Sequence, residues 1–326
     1  MSVLKLTPSS QPASTSTGEI YYDSSSNKLK FYNGTRFFTL SVDVNYETAG
    51  ATINKTAVSG YDLIVFTAGD GTSSYKFKPI DVVDIDLLIV AAGGGTSPYR
   101  GGAGGGQVIT HTGITVSSGA EYYITVGTGV ADAVGGNSFF KHSDGSTVEY
   151  RAVGGGRSGT SNVDGGSGGG EISSDQNYAV GASIKDESHT PFSGGTINNY
   201  GNAGGNNYQP SSPFGTGGGG GAGSGQVGGD ATSSQSGNGG NGIDVSSTFG
   251  TVYGDSGIFG GGGGGMIRSS SGFGTGGSGG GGRGGTSAGS DGVAGTANTG
   301  GGAGGQGESG SSLAGGSGIV IIRVAR

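Results

Sequence analysis

Short stretches in which apolar and polar residues alternate occupy the first part of the chain, a pattern that predicts β-strands. Residues 19–40 contain three such stretches. Polar turns separate them, at 24–27 and at Asn33-Gly34, a pair suited to tight hairpins. A meander this small is not stable alone, so it is expected to need a partner surface or symmetry mates.

From about residue 46 the pattern becomes that of a larger β-domain. Strand-like stretches occupy 61–67, 74–78, 82–90, 107–116, 120–126, 137–141 and 147–153. Glycine-containing turns separate the later ones at a spacing of about ten residues, which is typical of antiparallel sandwiches. The stretch 82–90 ends as a continuous apolar run, so it is expected to enter a buried position.

Glycine changes this picture in the second half. Six of the 82 glycines precede residue 93, so 76 lie between Gly93 and Gly318, and they come in runs such as 217–221 and 260–265. Collagen needs a strict three-residue glycine repeat with abundant proline, and the chain has only 7 prolines. Disorder is the stronger rival, but strands border the tract and aromatic residues interrupt it. The hypothesis is a lattice of parallel and antiparallel polyglycine helices, hydrogen-bonded side by side, with the inserts as loops at its ends.

The predicted fold is therefore all-β with a polyglycine II helix lattice and almost no α-helix. Residues 1–45 form an N-terminal arm and β-meander, and residues 46–153 an antiparallel β-sandwich. Residues 154–326 form the glycine-rich domain, whose closing strand 319–324 returns to the β-domain.

Composition narrows the chemistry. The net charge is −7 with scattered basic residues, so no nucleic-acid footprint is expected. Cysteine is absent, and neither a signal peptide nor an apolar run long enough to cross a membrane is recognisable, so no membrane insertion is expected.

Several motifs are weighed as chance or structure. The G-x-S-x-G match at 276–280 follows from composition, and 239–247 resembles a calcium nonapeptide but has no tandem copy. The histidines His111, His142 and His189 have no close His or Cys companion. No catalytic residue, metal or cofactor is predicted, although the scattered carboxylates leave glycosidase chemistry open.

Five pieces in a fixed order carry a family resemblance. They are Asp86-Leu-Leu-Ile-Val-Ala-Ala-Gly-Gly-Gly, Tyr122-Tyr-Ile-Thr-Val-Gly, Gly135-Gly-Asn-Ser-Phe-Phe, Ala152-Val-Gly-Gly-Gly and Gly315-Gly-Ser-Gly-Ile-Val-Ile-Ile-Arg. This arrangement resembles the glycine-rich domain of bacteriophage tail-fibre and adhesin proteins and, more loosely, the polyglycine-sandwich tip adhesins of T-even-like phages. The segment from Gly18 to Thr35 resembles a short β-unit of phage fibre and structural proteins. The N-terminal meander and β-domain depart from the tip-adhesin pattern.

The resemblance implies a non-enzymatic receptor-binding protein of a phage tail, made in the host cytoplasm and extracellular after release. Its expected partners are a host-surface glycan or outer-membrane protein and, through residues 1–45, other tail proteins. A homotrimer is expected because fibre proteins are commonly trimeric. Two alternatives remain open: a structural connector or decoration protein of the virion, and a polysaccharide-depolymerising tailspike.

The candidate receptor-binding residues lie on the later inserts, above all on 171–214. Aromatic side chains on loops provide large contact areas at small entropic cost and stack on sugar rings. The candidates are Tyr178, His189, Phe192, Tyr200, Tyr208, Phe214, Phe249, Tyr253, Phe259 and Phe273. Their alternative role is to cap the ends of the glycine lattice.

Overall fold

A computed structural model describes most of the chain. The described residues are 8–9, 17–23, 28–32, 34–35, 37–40, 46–69, 75–80, 82–144, 149–159, 164–171, 180–188, 190–208, 220–269, 272–287, 291–308 and 310–326. Contacts divide the chain into two compact units, residues 1–45 and residues 46–326.

The first unit contains one small sheet. Its strands are β1 (Pro8–Ser9), β2 (Ile20–Asp23), β3 (Lys28–Tyr32) and β4 (Phe37–Leu40), in the order β1-β2-β3-β4. Strands β2, β3 and β4 are antiparallel and form the meander that the sequence predicts. Strand β1 adds to it in parallel.

The described residues of the second unit contain the remaining strands and one short helix. They are β5 (Tyr46–Ala49), β6 (Thr52–Asn54), β7 (Tyr61–Thr67), β8 (Tyr75–Pro79), β9 (Val83–Val90), β10 (Val108–Val116), β11 (Tyr122–Thr125), β12 (Ser138–His142), β13 (Glu149–Ala152), β14 (Thr196–Tyr200), β15 (Ile243–Asp244), α1 (Ser246–Phe249), β16 (Ile258–Phe259) and β17 (Ile319–Ala325). The chain is thus nearly all β, as its alternating pattern predicts.

The larger sheet of the second unit has six strands, in the order β14-β10-β9-β17-β7-β6. Its centre is β17, which is antiparallel to both neighbours: Ile319 lies opposite Val90 of β9 and Thr67 of β7. The Arg323 guanidinium reaches from β17 to Asp86 of β9, with a Nε to Oδ2 distance of 2.7 Å. The glycine tract therefore begins and ends in adjacent strands of one sheet.

The second sheet has five strands, in the order β13-β12-β11-β8-β5. Side chains from it reach the six-stranded sheet, which makes the pair a sandwich. Tyr46 Oη donates to Asp62 at 2.9 Å, and Ser138 Oγ donates to the Val90 carbonyl at 2.8 Å. Phe77 and Phe140 are fully buried in the layer between the sheets.

The opposite face of the six-stranded sheet is buried as well. Its outward side chains form a core cluster with residues of the segment that carries β15, α1 and β16. The cluster contains Leu63, Val65, Leu88, Val90, Val108, Val245, Phe249, Phe259, Ile319 and Ile321. Burial on both faces explains why β7, β9 and β17 are continuous apolar runs.

The glycine-rich segments are hydrogen-bonded in a three-residue repeat. Along residues 103–107, successive N–H groups donate to three different segments in turn. The pairs are Ala103 to Ala303, Gly104 to Gly156, Gly105 to Ala222, Gly106 to Gly300 and Gln107 to Val153. A β-strand alternates between two directions, whereas a helix of three residues per turn projects its backbone groups in three.

A second segment, 260–267, follows the same rule. The N–H groups of Gly261, Gly264 and Ile267 donate to one segment, at Gly279, Gly282 and Gly285. Those of Gly262 and Gly265 donate to Gly240 and Gly237, and that of Gly263 to Ala103. The acceptor numbers rise in the first set and fall in the second, so neighbouring segments run both parallel and antiparallel.

Close backbone contact requires glycine at many of these positions. A Cβ atom added to Gly102 would lie 1.8 Å from the Gly263 carbonyl oxygen, and one added to Gly263 would lie 1.9 Å from that of Ala303. Both distances are far inside van der Waals contact. The segments continue directly from sandwich strands, since β9 leads into Ala91-Ala92-Gly93 and Gln107 leads into β10. Residues 46–326 form one compact unit.

Candidate functional site

The described part of the 171–214 insert, residues 180–188 and 190–208, docks against the sandwich. Its residues 196–200 form β14, which pairs with β10 at the edge of the six-stranded sheet. Gln107 holds Asp186 on both sides, donating to its carbonyl at 2.9 Å and accepting from its N–H at 3.0 Å. The Arg151 Nε donates to the Asp186 carboxylate at 2.7 Å. The sequence predicts this insert as a loop at an end of the glycine lattice that contacts the receptor. Strand β14 was not predicted, because its sequence Thr-Ile-Asn-Asn-Tyr is short and largely polar.

The Asp186 carboxylate is stabilised in its charged form. Partial burial raises its pKa, but hydrogen bonds from the Ser188 N–H and hydroxyl and the contact with Arg151 outweigh that effect. The net result is a pKa below the usual range. Asp186 therefore anchors the insert at neutral pH.

Phe192 closes an aromatic cluster with side chains of β11, β12 and β13 in the five-stranded sheet. Its ring centroid lies 5.5 Å from that of Tyr122 and 6.1 Å from those of Phe140 and Tyr150. Its N–H donates to Tyr150 Oη at 3.0 Å. The side chain is only half-buried, and a groove of about 420 Å³ opens beside it, lined also by His142. Phe192 is therefore a candidate of the insert that packs against the aromatic cluster and also lines a groove.

His111 takes part in this anchor rather than in chemistry at the surface. It is buried, with Nδ1 2.6 Å from Tyr150 Oη and Nε2 2.7 Å from the Gly194 carbonyl oxygen. Because a carbonyl only accepts, these contacts assign the proton to Nε2, and Nδ1 accepts from Tyr150. Burial raises the pKa of Tyr150 well above its ordinary value, which keeps the hydroxyl available as the donor.

Phe249 and Phe259 lie in the core and do not form a receptor surface. Both are essentially without solvent exposure and pack on Leu88, Val90 and Ile319 of the six-stranded sheet. They cover an apolar sheet face that would otherwise meet water, so they take the structural role left open for the aromatics. Half-buried Tyr253 packs against the same cluster, and its hydroxyl accepts from Asn54 Nδ2 at 3.3 Å.

Tyr200 is half-buried at the end of β14 and packs against the same core cluster. Three other candidates, Tyr178, His189 and Phe214, lie outside the described residues. The structure thus places Tyr200, Phe249, Tyr253 and Phe259 at the core cluster of the six-stranded sheet, and Tyr208 and Phe273 are not part of that cluster.

Tyr208 and Phe273 lie in the glycine-rich segments, outside the strands of the two sandwich sheets. We give the name distal rim to five residues of these segments, Tyr99, Tyr208, Arg268, Phe273 and Arg283, four of which are joined in two pairs. The Arg283 guanidinium carbon lies 5.2 Å from the Phe273 ring centroid, and that of Arg268 lies 5.7 Å from the Tyr99 ring centroid. These distances are typical of cation–π contacts.

Tyr99 belongs to the rim, although it is not among the sequence candidates. Its side chain is exposed, and its φ of 65° places it in a left-handed conformation that is uncommon outside glycine. The available signal was a lone aromatic directly after Pro98 within a glycine tract.

Two further features of the described residues bear on function. Within the described residues, no group of three or more His, Cys, Asp or Glu is placed to hold a metal ion. The same part of the chain contains no helix of the length and apolarity that crossing a membrane requires.

A family model described as a glycine-rich domain matches residues 67–325. The match runs from the end of β7 to the end of β17 and includes both the sandwich strands and the glycine segments. The chain therefore belongs to this glycine-rich domain family. No curated protein matches the chain.

Proposed function

We propose that the protein is a receptor-binding component of a phage tail fibre, in which a rigid glycine-rich scaffold displays the distal rim to the host cell surface. The observation that carries this proposal is the three-residue hydrogen-bond repeat around residues 102–107. The interior of such a scaffold consists mainly of backbone. The side chains that can contact a receptor therefore lie on its rim and its inserts.

The scaffold itself is proposed to be a polyglycine II lattice. Support comes from the segment 102–107, which bonds to several neighbouring segments instead of two. Besides its three donor directions, Ala103 accepts from Gly263, Gly104 from Gly94 and Gly105 from Ser167. Side-by-side helices of three residues per turn account for this arrangement, which satisfies the extended backbone.

The remaining parts of the proposal follow from the resemblance. Residues 1–45 attach the protein to other tail proteins, and their separate compact unit is consistent with an attachment module. The meander is small, so pairing with copies of itself in a homotrimer would stabilise it. The receptor is a surface glycan or an outer-membrane protein, and the mature protein acts in the extracellular virion.

The test is binding of the labelled full-length protein to a panel of bacterial strains, measured by flow cytometry. Combined Tyr99→Ser and Phe273→Ser changes in the distal rim are expected to reduce binding about tenfold or more, since aromatic anchors dominate interfaces. The control Val252→Ser changes an exposed apolar residue outside the rim and should bind like the unchanged protein. Equal binding by the rim variant would remove the rim from the receptor site.

Further measurements with the full-length protein distinguish a receptor-binding protein from the two alternatives, a connector or decoration protein and a tailspike. A connector or decoration protein would bind none of the strains but would remain associated with purified virions. A tailspike would shorten the polysaccharide extracted from a bound strain, as measured by size-exclusion chromatography. Either result would replace the receptor-binding proposal.

A further inference from the structure

The outer face of the five-stranded sheet carries an ordered set of aromatic and charged side chains. Strand alternation turns Phe140 and Tyr150 toward the sandwich core, so their neighbours Phe139, Lys141 and Arg151 point outward. On the next strand, Tyr123 points outward between the buried Tyr122 and Ile124. We call this surface the outer face.

The strand register places these side chains in two adjoining rows. One row contains Lys141 opposite Tyr123, and Tyr123 opposite Lys76. In the other row Phe139 lies opposite Arg151. Phe139 and Tyr123 are diagonal neighbours on adjacent strands, a spacing within reach of aromatic side chains. We call these two outward-facing rings the aromatic platform.

A lysine ammonium lies over each ring of the platform. Lys141 Nζ is 4.6 Å from the Phe139 centroid, and Lys76 Nζ is 5.0 Å from the Tyr123 centroid. Each ammonium also has a carboxylate partner, Glu149 at 3.2 Å for Lys141 and Glu121 at 2.7 Å for Lys76. Either lysine can therefore leave its ring while keeping its counter-ion.

Charge on the outer face is balanced. Four cations pair with four carboxylates, in the pairs Lys76–Glu121, Lys78–Glu47, Lys141–Glu149 and Arg151–Asp186. Two grooves adjoin the platform on opposite sides, one of about 440 Å³ beside Phe139 and Arg151 and one of about 210 Å³ beside Lys76 and Glu47. The face thus offers aromatic rings between rows of hydrogen-bond donors and acceptors.

We propose that the outer face binds a neutral polysaccharide chain, with sugar rings on Tyr123 and Phe139 and hydroxyl groups in the two grooves. Sugar hydroxyls both donate and accept, so they match alternating ammonium, guanidinium and carboxylate groups. The C–H groups of a sugar carry slight positive charge and replace the ammonium on the electron-rich ring face.

The balanced charge of the outer face favours a neutral polysaccharide over two other ligands, an acidic polymer and a second copy of the chain. An acidic polymer would meet as many carboxylates as cations, so the face provides no net attraction for it. A second copy of the chain would bury eight charged groups, and desolvating them offsets the gain from pairing. A neutral, heavily hydroxylated chain avoids both penalties.

The test is isothermal titration of the full-length protein with hexasaccharides of glucose, mannose and galactose, and with an acidic hexamer of galacturonic acid. We expect weak binding of at least one neutral hexamer. Tyr123→Ala should weaken it about tenfold, because one stacked ring contributes on the order of one decade in affinity. Tyr123→Phe should retain it, and Ile53→Ala, an exposed residue on the edge strand β6, should leave it unchanged.

Three outcomes would overturn the proposal. They are failure of all neutral hexamers to bind at millimolar concentration, preference for the acidic hexamer, and equal binding by Tyr123→Ala. Sedimentation of the unliganded protein gives a fourth: self-association that Tyr123→Ala abolishes would make the outer face an interface between copies. None of these depends on the distal rim, so cell binding lost through Tyr99 and Phe273 remains a separate result.

Discussion

The sandwich and the glycine-rich segments, which we propose form a lattice, satisfy and bury their backbone groups in different ways. The sandwich buries side chains such as Phe77 and Phe140 and leaves its backbone to regular ladders. The lattice has little to bury besides backbone, so its segments approach until carbonyl oxygens meet the Cα atoms of neighbouring glycines. A side-chain core tolerates substitutions of similar volume. The glycine-rich segments accommodate the methyl groups of Ala103, Ala222 and Ala303, but they leave no space for one at positions such as Gly102.

The largest expected effect is therefore a methyl group in the lattice. In Gly102→Ala the new Cβ would lie 1.8 Å from the Gly263 carbonyl oxygen and 2.8 Å from the Gly221 nitrogen. Both are backbone atoms held by hydrogen bonds, so we expect a loss of more than about 4 kcal/mol in the free energy of unfolding. Chemical denaturation monitored by circular dichroism would measure it.

The control for this change is Gly119→Ala. Gly119 has a φ of 78° but nothing within 4 Å of an added Cβ. Only backbone strain is introduced there, about 1–2 kcal/mol. Equal losses from the two variants would show that close packing is not what requires glycine in the lattice.

The core aromatics come next. Phe259→Ala would open a cavity between β16 and the six-stranded sheet and should reduce the free energy of unfolding by about 3–5 kcal/mol. Phe273→Ala, at a half-buried ring, should cost about 1 kcal/mol or less. Thermal melts of both variants check this difference, and a mild effect of Phe259→Ala would return that residue to the surface candidates.

Removing the largely buried ion pair across β9 and β17 is expected to have a smaller effect. Arg323→Met would leave the Asp86 carboxylate with the Gly113 N–H as its remaining described donor, at a loss of about 3 kcal/mol. The exposed pair Lys78–Glu47, with 3.5 Å between nitrogen and oxygen, serves as the control. Lys78→Met should change stability by less than about 1 kcal/mol in the same denaturation assay.

Alkaline pH should weaken the sandwich gradually. Burial raises the pKa of Tyr122 to about 12, and burial together with other contacts raises those of Tyr46 and Tyr150 further. An unfolded tyrosine loses its proton near pH 10, so above that pH the unfolded chain binds fewer protons than the folded one. Stability is thus full below about pH 10 and declines as the pH rises toward the folded values.

Melting temperatures measured between pH 8 and pH 11.5 would show this decline. Tyr122→Phe removes one of the three titrating groups, so its melting temperature should fall less steeply above pH 10. Parallel pH profiles for the two proteins would contradict the role assigned to Tyr122.

Much of the sandwich could be predicted from the sequence because side-chain alternation reports directly on a sheet with a buried face. The stretches 61–67 and 107–116 correspond closely to β7 and β10. The docking of the 171–214 insert could not be predicted, because its anchor depends on distant partners such as Gln107 and Arg151. Runs of glycine have no pattern of apolar and polar side chains. The sequence therefore does not indicate which glycine-rich segments are hydrogen-bonded to each other or in which register.

The aromatic candidates show the same limit. Phe249 and Phe273 look alike beside glycine runs, and only the apolar sheet face beneath Phe249 distinguishes them. Outward-facing Tyr123 and Phe139 were not predicted as surface candidates. They alternate with core aromatic residues in strands that the sequence pattern assigns to the sandwich.

The central position of β17 also affects how the molecule folds. The partners of this strand, β7 and β9, lie more than 200 residues earlier in the chain, and until it arrives each exposes an unpaired apolar edge. Such non-local pairing folds slowly and leaves intermediates that aggregate. Refolding yield should therefore depend on protein concentration, and the completed sheet, once closed around its last strand, should unfold slowly.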